Sequence, residues 1–255
     1  MTVTTSAGRK LVLFRHAKSA WPDVPDHERP LGRRGQRDAP AMGRWLRAAG
    51  YVPDHVLCST ARRARETWKL AQAGLGATPP VTFEDRVYEA SAAQLLNLIR
   101  RAPRAARTLL VVGHDPAIPE LALTLAVPAP PAHHGTEGDA VLGAALDRMR
   151  AKFPTAAIAI FEVTGKWDQL AAGSAGLSGF VTPRDVRASP RPGSKAKLLD
   201  RGCDAKAIVK SCLVTADTWP TASARGGQQA VSRAAIPGQA PSPLVAIPPS
   251  TRLSA

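Results

Sequence analysis

Short apolar runs alternate with amphipathic helical stretches over residues 9–184, and this alternation constrains the fold more than any other feature. The apolar runs have the length of buried strands, whereas the stretches between them repeat apolar residues at helical spacing. Because parallel strands need a long crossover, usually a helix, this order predicts a three-layer α/β/α domain with a mostly parallel sheet. The predicted strands are 10–14, 55–58, 80–83, 108–112 and 156–163, and the predicted helices are 39–49, 61–73, 91–101, 120–126 and 140–151.

The last quarter of the chain carries a disproportionate share of the net charge of +14. Residues 185–255 hold ten basic and four acidic side chains and are rich in proline, alanine and serine. Such a composition buries too little apolar surface to offset chain entropy, so we expect a mostly disordered tail after a domain at 9–184. Two interpretations of the tail stay open: a functional basic segment, or the product of a shifted reading frame.

Composition also limits where the protein acts and what it binds. Three cysteines are too few for a disulfide framework, and no apolar stretch reaches the length of a transmembrane helix. The first ten residues contain no apolar signal segment. We therefore expect a cytoplasmic monomer without a membrane partner. The tail lacks interleaved aromatic residues and any nucleic-acid motif, so we do not expect nucleic acid as a partner.

Basic and imidazole side chains follow three of the predicted strands directly. Arg15 and His16 end the first strand, an arginine-rich segment at 62–65 follows the second, and His114 follows the fourth. The carboxyl ends of parallel strands share one crevice, so these side chains are expected to converge. Arginines gathered in this way fit a phosphoryl group, and a neutral histidine can attack it, which requires no metal. Taken singly, the Arg-His and Gly-His segments are more often non-catalytic, and the arginines at 62–65 are typical of the solvated face of a helix.

Four motifs, in their order along the chain, resemble the histidine phosphatase superfamily, also called phosphoglycerate-mutase-like. They are LVLFRHAKS at 11–19, ERPLGRRG at 28–35, STARRARET at 59–67 and VVGH at 111–114. The alanine, lysine and serine after the first histidine resemble the SixA-type phosphohistidine phosphatase branch. The resemblance covers residues 9–184 and implies a phosphoglycerate-mutase-like fold without a large lid insertion.

The resemblance also implies roles for individual residues. His16 resembles the histidine that becomes phosphorylated, and His114 resembles the second catalytic histidine. Arg15, Arg63 and His114 resemble the phosphate pocket of the family. Glu89 stands where much of the superfamily carries the acid that protonates the leaving group, although a solvated carboxylate at a helix start fits the same position.

The substrate is less constrained than the reaction. Short connections at 14–35 and 58–83 leave no room for an inserted lid, and an open pocket suits a phosphorylated side chain on a protein. We therefore expect a phosphohistidine protein as substrate, with no cofactor and no metal. Small phosphomonoesters remain an alternative, as does a non-catalytic module that binds phospho-ligands. The pair His133 and His134 lacks further ligands at suitable spacing, so we do not expect it to bind a metal.

Overall fold

The computed structural model describes residues 8–126 and 137–188, apart from the side chains of 137–139. The strands are β1 (Arg9–Arg15), β2 (His55–Ser59), β3 (Val81–Glu84), β4 (Thr108–Gly113), β5 (Ile158–Val163) and β6 (Ala175–Val181). The helices are α1 (Arg33–Ala48), α2 (Arg62–Leu75), α3 (Ala92–Ile99), α4 (Ala117–Leu125), α5 (Glu137–Ala151) and α6 (Pro183–Ala188). Short 3-10 helices span Asp26–Glu28, Asp85–Val87 and Trp167–Gln169.

The strands form one six-stranded sheet in the order β3-β2-β4-β1-β5-β6. The first four strands are mutually parallel where they pair, and β5 and β6 add an antiparallel edge. The predicted mostly parallel α/β sheet is therefore confirmed. The sequence did not predict β6, because Gly176, Ser178 and Gly179 give this segment a low strand propensity. Pairing with β5 along its length holds it in the sheet.

Helices cover both faces of the sheet, as expected for three layers. Leu11 and Leu13 of β1 pack in a core cluster with side chains of α3, α4 and α5. Val12 and Phe14 pack in a second cluster with side chains of α1 and α2. All four side chains are fully buried, which explains why β1 reads as a continuous apolar run rather than an alternating one.

The loop between β1 and α1 is tied at its base. The Lys18 carbonyl accepts a hydrogen bond from the Gly32 amide at 2.9 Å, and Ser19 pairs with Leu31 in an isolated bridge. A Cβ atom at Gly35 would lie 2.3 Å from the Lys18 carbonyl oxygen, so this approach requires glycine. Residues 20–30 therefore form a closed loop beside the carboxyl ends of the strands.

Two regions discussed from sequence lie outside the described residues. They are the tail beyond Ala188 and the loop that contains His133 and His134. Within residues 8–126 and 137–188, no helix is long and apolar enough to cross a membrane.

Candidate active site

The two histidines named from sequence lie next to each other at the carboxyl edge of the sheet. His16 follows β1 and His114 follows β4, and these strands are paired in parallel. The two ring centroids are 5.1 Å apart, and both side chains are buried. The parallel register thus brings together two residues that are 98 positions apart in the chain.

The His16 ring is fixed in one tautomer by the backbone. Its Nδ1 atom lies 2.8 Å from the Ala17 carbonyl oxygen, which can only accept a hydrogen bond, so Nδ1 carries the proton. The Ala17 amide in turn donates to the Thr67 hydroxyl, and that hydroxyl donates to the Arg63 carbonyl. The Nε2 atom of His16 is therefore unprotonated and has a lone pair, as a nucleophile needs.

Burial and positive charge keep His16 neutral. Burial lowers the pKa of His16 to about 4, although the hydrogen bond to the Ala17 carbonyl opposes the shift. The nearby charges of Arg63, Arg15 and Arg29 lower the pKa further. Three guanidinium groups thus lie close enough to His16 to favour its uncharged form.

The His114 ring is held by the end of β2. Its Nε2 atom forms a hydrogen bond of 2.7 Å with the Ser59 hydroxyl, whereas Nδ1 is buried with no partner among the described residues. Burial, followed by the charges of His16 and Arg63, lowers the pKa of His114 to about 3. His114 is thus a second neutral imidazole with one ring nitrogen unsatisfied.

The two predicted phosphate arginines flank the histidines in different ways. Arg15 donates to the Phe153 carbonyl and lies 3.4 Å from the Asp115 carboxylate, and burial lowers its pKa. Arg63 is only 9% exposed in its side chain and reaches the loop after β1. The neighbouring Arg62 and Arg65 are exposed. The structure thus places Arg63, rather than its neighbours, on the inner side of α2.

Asp26, a carboxylate that was not singled out from the sequence, is ion-paired with two arginines of the site. Asp26 lies 2.6 Å from Arg29 Nη1 and 3.0 Å from Arg63 Nη2, and it accepts a hydrogen bond of 2.9 Å from the Tyr88 hydroxyl. The hydrogen bond from Arg29 is the main cause that lowers the pKa of Asp26 to about 2. We call Asp26, Arg29, Arg63 and Tyr88 the Asp26 cluster.

Arg29 is a third guanidinium at the site, with no role assigned from sequence. It is nearly buried, donates to the Ser19 hydroxyl and the Ala20 carbonyl, and lies against the exposed Trp21 ring, with Cζ 3.2 Å from the centroid. Its position in the ERPLGRRG motif was the available signal. Asp26 had none, because its role depends on the conformation of the loop.

Glu89, the predicted general acid, forms no hydrogen bond or ion pair with either histidine. It is exposed, it adopts a left-handed backbone conformation with φ 58°, and it forms no hydrogen bond or ion pair with any described residue. The ring of the preceding residue, Tyr88, packs edge-on against His114 at a centroid distance of 5.5 Å.

Comparison with known proteins identifies the family. The sequence model of the histidine phosphatase superfamily (branch 1) matches residues 11–106. A putative phosphohistidine phosphatase SixA from Nakamurella multipartitia is 34% identical, with a TM-score of 0.58 over 70% of this chain and 98% of that one. The chain belongs to the histidine phosphatase superfamily. The resemblance predicted from the four motifs is therefore confirmed.

Two further proteins are similar to this chain. A putative SixA from Agrobacterium tumefaciens is 26% identical, with a TM-score of 0.51 over 70% of this chain and 100% of that one. An uncharacterized protein of Mycobacterium tuberculosis is 44% identical over 172 residues, which are 67% of this chain and 100% of that protein. Membership of the superfamily supports phosphatase activity and the phosphoglycerate-mutase-like fold.

Proposed function

We propose that this histidine phosphatase removes phosphate from phosphohistidine on a protein, through a phosphorylated His16 intermediate. The observation that carries the proposal is the state of His16: a buried, neutral imidazole with Nδ1–H held by the Ala17 carbonyl, among the charges of Arg15, Arg29 and Arg63. A nucleophile with this tautomer and these neighbours suits attack on a phosphoryl group.

In the first step, His16 Nε2 attacks phosphorus and the P–N bond to the substrate imidazole breaks. The departing imidazole takes up a proton, and the phosphoryl group is left on His16. In the second step, water attacks phosphorus, orthophosphate leaves, and neutral His16 is regenerated. Arg15 and Arg63 offset the charge of the equatorial oxygens in both steps, and His114 is proposed to bind the same group.

The nature of the leaving group supports phosphohistidine over an ester. An imidazole accepts a proton directly from solvent near neutral pH, whereas an alkoxide needs a positioned acid. Two described carboxylates lie beside the arginines of the site: the pKa of Asp26 is lowered to about 2, and Asp115 is held 3.4 Å from Arg15 Nη1. The SixA names of the similar structures point the same way.

Glu89 is proposed as the general acid for substrates with poorer leaving groups. Changing Glu89→Gln should then slow hydrolysis of an alkyl phosphomonoester by at least tenfold and leave phosphohistidine hydrolysis within twofold of wild type. Steady-state kinetics with both substrates measure the difference. Equal loss on both substrates, or no loss on either, would remove Glu89 from this role.

A substrate panel tests the proposed function. We expect kcat/KM for a phosphohistidine peptide to exceed that for phosphoserine peptide, sugar phosphates and p-nitrophenyl phosphate by at least two orders of magnitude. Activity should survive EDTA, because the cations of the pocket belong to the protein. Higher kcat/KM for a phosphomonoester would establish the small-molecule alternative. Phosphate binding without turnover of any substrate would establish a binding module.

A further inference from the structure

A groove beside the catalytic pocket has no role in the proposed reaction. It has a volume of about 610 Å³ and runs between the exposed side of α2 and the edge strand β3. We call it the α2–β3 groove, and the lining residues that matter here are Glu28, Arg62, Arg65, Lys69, Val81 and Phe83.

One end of the groove opens at the mouth of the active site. Glu28 belongs to the same 3-10 helix as Asp26, and Arg62 precedes Arg63 at the start of α2. From there α2 runs away from the carboxyl edge of the sheet. Lys69 lies six residues beyond Arg63, about 9 Å along the helix axis. A chain whose phosphoryl group sits at His16 would therefore pass Lys69 within about four extended residues.

The cations of the groove are not all neutralised by the protein. Arg62 is paired with Glu66 at 2.8 Å, and the other Glu66 oxygen accepts the Leu31 amide. Arg65 and Lys69 are exposed and form no ion pair with any described residue. They are four residues apart on one helix face, so two positive charges lie side by side, with the Glu28 carboxylate within electrostatic reach of Arg65.

The opposite wall of the groove is apolar. Val81 and Phe83 are two residues apart in β3, so their side chains share one face of the strand. Phe83 is 51% exposed, so its ring is open to a ligand in the groove. The groove thus combines two unpaired cations with an exposed aromatic ring, a pattern suited to an acidic peptide that carries an apolar side chain.

We propose that the α2–β3 groove binds the acidic segment that flanks the phosphohistidine of the protein substrate. The inference rests on the proposed function and adds a substrate preference to it. Arg65 and Lys69 meet carboxylates within about four residues of the phosphohistidine, and Phe83 covers an apolar side chain between them. The groove thereby selects among phosphohistidine proteins by the charge of the flanking sequence.

Three synthetic peptides and a charge-reversed protein test this proposal. Each peptide carries one phosphohistidine, and the four residues on either side are rich in aspartate, serine or lysine. For the wild-type protein we expect KM to be about tenfold lower for the aspartate peptide than for the serine peptide, with a strong salt dependence. In the double variant Arg65→Glu, Lys69→Glu the order should invert, so that the lysine peptide has the lowest KM.

A matched variant controls for overall charge. Arg44→Glu, Lys152→Glu reverses two exposed cations that also form no ion pair with any described residue, and it should keep the wild-type order of peptides. Equal KM values for all peptides, or the same change in both double variants, would overturn the inference. So would a groove-dependent inhibition by an oligonucleotide without any peptide preference. If the wild-type protein still hydrolyses free phosphoramidate, these outcomes overturn the groove proposal and leave the proposed function standing.

Discussion

Two aspartates of this protein each gather arginines, and their environments are opposite. Asp38 of α1 is buried, with 3% of its side chain exposed, and it lies 2.7 Å from Arg187 of α6. Its other partners are Arg34 and Arg37, and the side chains of all three arginines are 42% or more exposed. In the Asp26 cluster the acid is 49% exposed, whereas the side chains of Arg29 and Arg63 are 8% and 9% exposed.

This reversal in which partner is buried, the acid at Asp38 and the arginines at Asp26, distinguishes a structural contact from a candidate binding site. A buried carboxylate with arginines outside joins two helices, here α1 to α6, and offers nothing to a ligand. Buried guanidinium groups under an exposed carboxylate remain charged when the carboxylate moves, because arginine does not deprotonate at physiological pH. We therefore expect a phosphoryl group to replace Asp26 at these arginines, whereas Asp38 links α1 to α6.

The largest effect is expected from the buried arginine of the Asp26 cluster. Arg63→Ala should lower kcat/KM at least hundredfold, since the loss of a preorganised charge at a transition state costs about 3 kcal/mol. The control is Arg44→Ala, which removes an exposed arginine outside both the site and the α2–β3 groove and should change kcat/KM less than threefold. Near-normal kinetics for Arg63→Ala would place the phosphate elsewhere.

At Asp38 we expect a loss of stability with little change in kcat/KM. Asp38→Asn should lower the free energy of unfolding by about 1–2 kcal/mol, because a carboxylate bound to three arginines is lost, but those arginines can turn to water. Urea denaturation measures this change, and kcat/KM of the folded protein should stay within twofold. A large kinetic defect without a change in stability would contradict the structural role.

At Asp26 we expect a smaller effect, which is an increase in phosphate affinity rather than a loss of activity or stability. Asp26→Asn keeps an oxygen that can accept from Arg29 and Arg63 but removes the negative charge. The variant should bind orthophosphate about fivefold more tightly, since a like charge next to the anion at a protein surface costs about 1 kcal/mol. Isothermal titration calorimetry measures the affinity. Weaker binding would show that Asp26 positions the arginines rather than competing with phosphate.

The pH dependence is expected to be the smallest effect near neutrality. With its pKa lowered to about 4, His16 stays neutral in the folded protein at pH 5.5, where an ordinary histidine is mostly protonated. Histidine NMR should therefore show one unprotonated Nε2 signal for His16 down to pH 5. The unfolded chain binds this proton near pH 6.5, so stability is lost as the pH falls from 6.5 toward 4. A His16 titration near pH 6.5 would contradict the burial argument.

The sequence predicted those parts of the site that depend on strand order alone. Parallel pairing of β1, β2 and β4 forces the residues at their ends together, so the neighbourhood of Arg15, His16 and His114 followed from the alternation of elements. Asp26 could not be predicted, because its partners depend on how a closed loop folds back over α2. For the same reason, the contact between the Tyr88 ring and His114 could not be predicted from the sequence.

The central claim is that His16 carries the phosphoryl group during turnover. Rapid-quench reactions with radiolabelled phosphoramidate, stopped in base to preserve phosphohistidine, should yield labelled protein in a burst of no more than one equivalent. Peptide mapping should place the label on His16, and a His16→Ala protein should show neither label nor turnover. Full activity in the His16→Ala protein, or a label on another residue, would contradict the account.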